Sequence, residues 1–108
     1  VFIFILTCFS GCQSSEESVL ELMESIADAA EAQQGNCGAQ AQALTTLLDE
    51  HKDEIAKGQV IRANKSDTER RALEQKYGGK RELLVERALK AMRSCAHDPR
   101  LASALRRL

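Results

Sequence analysis

The chain has 108 residues, enough for one small domain, and is 44% hydrophobic and 29% charged with a formal net charge of -1. Ala, Leu, Glu, Lys, Arg and Gln dominate, Pro occurs once, and aromatic residues make up 4% with no Trp. This helix-forming mixture excludes a multidomain enzyme, a disordered tail and a β-sandwich.

Residues 1–9 are apolar apart from Thr7, and three of the four aromatics (Phe2, Phe4 and Phe9) lie there. A run of about nine apolar residues is too short to cross a bilayer core of ~30 Å as a helix, and it has the length of a signal-peptide h-region. Small residues follow, Ser10 and Gly11, then Cys12 and a polar run over 13–17. Phe9-Ser10-Gly11-Cys12 resembles the lipobox of bacterial lipoproteins, with Phe9 where Leu is usual. Thr7 before Cys8 makes that cysteine a poorer match. The resemblance implies that Cys12 becomes the first mature residue, carrying a diacylglycerol thioether and an N-acyl chain such as palmitate. Several chains on one cysteine anchor a protein firmly, at about 0.8 kcal/mol per buried CH₂. Gln13 follows the cysteine where Asp would resemble an inner-membrane retention signal. The implied location is therefore the bacterial cell envelope, at the outer membrane facing the periplasm. We expect 1–11 to be a truncated signal peptide, 12–17 a lipidated cysteine and tether, and 18–108 a helical domain. The competing reading makes 1–12 a strand or helix buried in the domain.

Ser14 and Glu17 have the spacing of a capping box that opens a helix. Val19, Leu22, Met23, Ile26 and Ala30 then mark one apolar face to about Gln34. Gly35-Asn36 breaks it, and Asn36 can cap the next helix. Cys37, Ala41, Leu44, Leu48, His51 and Ile55 recur in alternating steps of four and three, the seam of nearly aligned packed helices. Lys57-Gly58 is read as its end and 58–65 as a connector. Ser66 to Glu69 is a second capping box. Leu73, Tyr77, Leu84, Ala88, Ala91 and Cys95 keep one phase across Gly78-Gly79, so 67–96 is one helix with a weak point or two collinear ones. Asp98-Pro99 opens a short last helix, on which Leu101, Leu105 and Leu108 form a lid on the core or a dimer contact.

Charge is uneven: ten acidic residues and one basic from Cys12 to Ala56, then fourteen basic and six acidic from Lys57 onward. Acidic helices against basic ones would cancel within so small a domain. The competing reading is a basic face for nucleic acid, anionic lipid or acidic glycan. A lone Tyr77 makes a poor stacking platform, and no nucleic-acid partner is expected.

With Cys8 removed and Cys12 lipidated, Cys37 and Cys95 remain, and exported cysteines pair. Placing Cys37 opposite Cys95 in an antiparallel helix pair sets Ala41 on Ala91, Leu44 on Ala88, Leu48 on Leu84, His51 on Arg81 and Ile55 on Tyr77. Apolar meets apolar in all but the His51 pair. A reactive Cys37 at a helix start, with His97 and Asp98 nearby, is the redox alternative. Met23 and His97 loosely resemble the haem ligands of four-helix b-type cytochromes, although Cys95-Ala96-His97 is not a covalent haem motif. No catalytic, nucleotide or zinc motif is present.

The expectation is an all-α protein: a small antiparallel bundle of three to four main helices plus a short C-terminal one, stapled by Cys37–Cys95. A non-catalytic binding or structural role is expected, with the membrane and a protein or envelope polymer as partners. Neither a cofactor nor a small-molecule substrate is evident. The alternatives are a haem or metal carrier and a thiol-dependent redox protein.

Overall fold

Residues 15–107 of the computed structural model are described; among them are five α-helices and one 3-10 turn, with no strand. Helix α1 spans Ser15–Ala32, α2 Cys37–Glu50, α3 Lys52–Ala63, α4 Asp67–Met92 and α5 Pro99–Leu105; the 3-10 turn, Arg93–Cys95, follows α4. The lipobox-like segment, Cys8, Cys12 and the Ser14 cap lie outside the described residues. Among the described residues, no helix is long and apolar enough to cross a membrane.

The local start signals act as the sequence predicts. Asn36 Oδ1 accepts from the Ala39 amide at 3.2 Å. Ser66 Oγ accepts from the Glu69 amide at 3.2 Å while Glu69 Oε1 accepts from the Ser66 amide at 3.3 Å, completing both halves of the capping box. Asp98 Oδ1 accepts from the Arg100 amide at 2.8 Å, with Pro99 at the first helical position. Between α1 and α2 the chain reverses at Gly35, whose φ of 86° is open to glycine at little cost.

Two boundaries depart from expectation. The second helix is not continuous over 37–57: it breaks at His51 (φ -110°, ψ 15°), and α3 then runs through Gly58 to Ala63. A new helix start at Lys52 puts Asp53 and Glu54 in a first turn, where the helix dipole favours acids. An internal glycine costs about 1 kcal/mol against Ala, too little to end a helix on its own. For the same reason α4 is a single helix through Gly78-Gly79. There the Glu74 side chain lies flat over Gly78, where a Cβ would sit 2.6 Å from its Oε1, and reaches Arg81 in an ion pair.

The bundle is stapled: Cys37 and Cys95 are joined by a disulfide, with Cα atoms 5.2 Å apart. It sits where α2 begins and α4 ends, so these two helices run in opposite directions from it. They do not lie side by side along their length, however. The main partner of α4 is α1, whereas α2 packs on α1 and α5. Tyr77 Oη meets Glu17, and Arg87 meets Asp28 and Glu31, so α1 and α4 run parallel. The expected pairing of α2 with α4 therefore fails beyond the staple. Ala41, Leu44, Ala88 and Ala91 share one core, but α1 joins them with Ile26, Ala27 and Ala30. Leu20 and Ala27 are buried in α1, while Val19 and Met23 of the expected stripe are half-buried. Alanines at the crossing let the three helices approach closely, and close approach is what gives small side chains their packing contacts. On α5, Leu101 is buried and Leu105 packs partly buried against the core, which makes this helix a lid; Leu108 lies outside the described residues.

Among the described residues one polar side chain is fully buried. Gln40 Nε2 donates to the carbonyls of Ala30 at 2.9 Å and Ala91 at 3.1 Å. Both belong to the last turn of a helix, where carbonyls run out of intrahelical donors. A single amide thus caps α1 and α4 together from α2.

The staple and the Gln40 cap can each be tested. Alkylating the oxidised domain without reductant should add no label at Cys37 or Cys95, and the intact mass should be short by the two thiol hydrogens. Replacing both with Ser should lower unfolding free energy by about 4 kcal/mol, the chain-entropy value for a separation of 58 residues. Gln40→Leu should destabilise by about 2 kcal/mol in denaturant titration, because two buried carbonyls lose their donor. Gln40→Glu should be worse at neutral pH and partly recover in acid, where the carboxyl again carries a proton to donate.

Candidate functional site

The chemistry-bearing residues fall in two places. At the stapled end, Cys95 is buried and Cys37 half-buried, with both sulfurs in the disulfide. Cys37 in this state holds no thiolate, although it opens a helix. His97 is exposed beyond the 3-10 turn. Asp98 turns to Arg100, accepting from Arg100 Nη2 at 2.9 Å and Nε at 3.2 Å. That guanidinium, then the amides of Arg100 and Leu101, hold the Asp98 carboxyl down to about 2 against the smaller opposing effect of desolvation. The Arg100 side chain lies across the start of α2, 3.2 Å from where a Cβ on Gly38 would stand. The carboxylate is thus committed to a cap and an arginine, and Cys37, His97 and Asp98 form no relay.

The second place is a groove of about 820 Å³ between α1, α3 and α4. Leu22 and Ile26 of α1, Ile55 of α3 and Val85 of α4 give it apolar walls. His51, at the break before α3, lines it, with Nδ1 3.4 Å from Glu54 Oε2. That contact forms an ion pair when the imidazole is protonated, but it is not aligned as a hydrogen bond. Met23 lines the same groove and His97 does not. The pair suggested by the cytochrome resemblance is therefore not brought together, whereas Met23 and the seam residue His51 share one cavity. Among the described residues, no group of three or more His, Cys, Asp or Glu could hold a metal ion.

The groove adjoins a smaller hollow of about 520 Å³ lined by Arg62, Lys65, Arg70 and Arg81 together with Glu16 and Glu74. Gln59, Arg62 and Arg81 border both spaces. Sequence reasoning missed this hollow because 58–65 reads as a connector. The steps of three from Ile55 through Gly58 to Ile61 carried the signal that the helix continues.

Acidic α1 and basic α4 compensate each other directly. Arg87 Nη2 lies 2.8 Å from Asp28 Oδ1, and Arg87 Nε donates to Glu31 Oε2 at 3.2 Å. These bonds hold the Glu31 carboxyl below its ordinary value and raise the Arg87 guanidinium above its own. Arg107 pairs with Asp49 of α2 at 2.7 Å.

Compared with known proteins, the chain matches no family model, and no curated protein or solved structure is similar to it.

The acid limb of stability should follow these carboxylates. Asp98 lies at about 2 folded against an ordinary 3.8, and Glu31 and Glu69 lie below 4.5. A depressed folded value adds stability above the unfolded value, which is lost as pH falls through the folded one. Asp98→Asn keeps a cap acceptor but no charge. Denaturant midpoints measured from pH 5 to pH 2 should fall less steeply for this variant than for the parent chain; parallel curves would contradict the assignment.

Proposed function

We propose that this chain is a lipid-anchored bacterial envelope protein whose disulfide-stapled helical domain works by binding rather than by catalysis. The observation that carries the reading is the closed Cys37–Cys95 bridge. Such bridges persist in exported proteins and are rare where thiols are kept reduced. It supports the compartment implied by the lipobox-like Phe9-Ser10-Gly11-Cys12 and leaves Cys12 as the cysteine for acylation. With α1 beginning at Ser15, only a short tether separates the acylated residue from the bundle. The domain is then held close to the membrane, at the outer membrane facing the periplasm. From there it presents helical faces to a protein or an envelope polymer.

The carboxylates support the non-catalytic part. Asp98, Glu31 and Glu69 are held ionised by arginines or by cap groups. A general acid needs the opposite shift, which desolvation or a neighbouring carboxylate would produce.

Metabolic labelling with a tagged fatty acid in a bacterial host tests the anchor. The parent chain should take up label and fractionate with the outer membrane, while Cys12→Ser should incorporate none and accumulate as a precursor. Label retained by Cys12→Ser would overturn the reading.

A further inference from the structure

We infer that the groove between α1, α3 and α4 is a binding site for a long-chain carboxylate. The acyl chain would lie along the apolar walls and the head group at the adjoining cationic hollow. This reading goes beyond the envelope role and does not depend on the anchor.

The first support is an apolar helix face that is only partly covered. Helix α3 contributes no buried residue, so Ile55 and Ile61, which face the groove, remain half-buried. Opposite them, Val85 of α4 is 41% exposed. The space between is about 820 Å³, within the ~300–1,000 Å³ usual for small-molecule sites.

The second support is the placement of charge. Along the groove the charges are mixed, with Lys57, Glu21 and Glu54 all lining it. At its end, four cations face two carboxylates, Glu16 and Glu74. Glu74 is taken by Arg81, and Arg70 lies 3.7 Å from Asp67. Arg62 has no ion pair among the described residues, while Lys65 lies close enough to Glu69 to help hold that carboxyl below its ordinary value. Cations gathered at one end of an apolar trough complement an amphiphile charged at one end only. An amphipathic helix would instead need complementary charge along both rims. The stems of Arg62 and Arg81 extend the apolar wall toward their own head groups, so chain and carboxylate can be met without a gap.

Calorimetric titration of the oxidised 108-residue chain carrying Cys12→Ser, which removes any covalent acyl chain, tests the proposal. Butanoate, octanoate, decanoate and dodecanoate are compared below their micellar concentrations. Affinity should rise about fourfold per methylene, the ratio given by ~0.8 kcal/mol per buried CH₂. Dodecyltrimethylammonium should bind at least about tenfold more weakly than dodecanoate. The double variant Arg62→Gln, Lys65→Gln should weaken dodecanoate by about tenfold with unchanged helical circular dichroism, and Val85→Asp should weaken it too. Equal affinity for butanoate and dodecanoate would reduce the site to an anion contact and overturn the proposal. So would equal binding of the cationic amphiphile, an unaffected double variant, or no saturable binding. A dimer in native mass measurement that excludes dodecanoate and dissociates on Val85→Asp would assign the face to a second copy and overturn it as well.

Discussion

The amide of Gln40 joins three helices at one end of the molecule. Its nitrogen donates to last-turn carbonyls of α1 and α4 while its backbone belongs to the first turn of α2. One turn earlier, Cys37 is tied to Cys95. Bonds to carbonyls without solvent access matter because an unmet buried acceptor is costly. Everything else follows from three helix ends being drawn together here. Alanines 27, 30, 41, 88 and 91 crowd this end because nothing larger fits between helices so closely placed.

Helices pinned at one end are free to diverge at the other. Leu20, Leu48 and Leu84 still close the middle. Farther from the staple, α2 gives way at His51 to α3, which leans on α1 only lightly, with Gly58 3.9 Å from a Val19 methyl when given a Cβ. The groove is the result. A domain with a single aromatic side chain outside its first nine residues has little bulk to fill such a space, so the apolar sides of α1, α3 and α4 stay accessible. Stability is concentrated at the stapled end and access at the other.

Electrostatics follows the same geometry. Where α1 and α4 run parallel, Arg87 is shared by Asp28 and Glu31, and the opposite halves of the sequence neutralise each other. Exposed pairs of this kind contribute little stability singly. At the diverging end Arg62, Lys65, Arg70 and Arg81 line one hollow with Glu16 and Glu74. The surplus of positive charge is thereby focused at the end of the groove. This is the electrostatic feature that the balanced formal charge of the whole chain conceals.

Much of this was legible from local chemistry. The caps at Asn36, Ser66 and Asp98 bond within three residues of themselves, so their sequence context determined the helix starts. The Cys37–Cys95 pair followed from setting Cys8 and Cys12 aside and pairing the two cysteines that remain. The helix partners did not, because seam periodicity states that a face is apolar and not which face it meets. Ala41, Leu44 and Leu48 satisfy α1 and α5 as well as they would α4. Gln40 carries no local signal, because a glutamine on a helix is usually solvated, and only three converging backbones turn it into a cap. The sequence by itself determined the helical class, the helix starts and the staple, since these rest on contacts near in sequence or on covalent pairing. Tertiary structure alone decided the parallel packing of α1 on α4, the continuation of α3 and the groove, since these depend on which long-range burial is most favourable once the ends are joined.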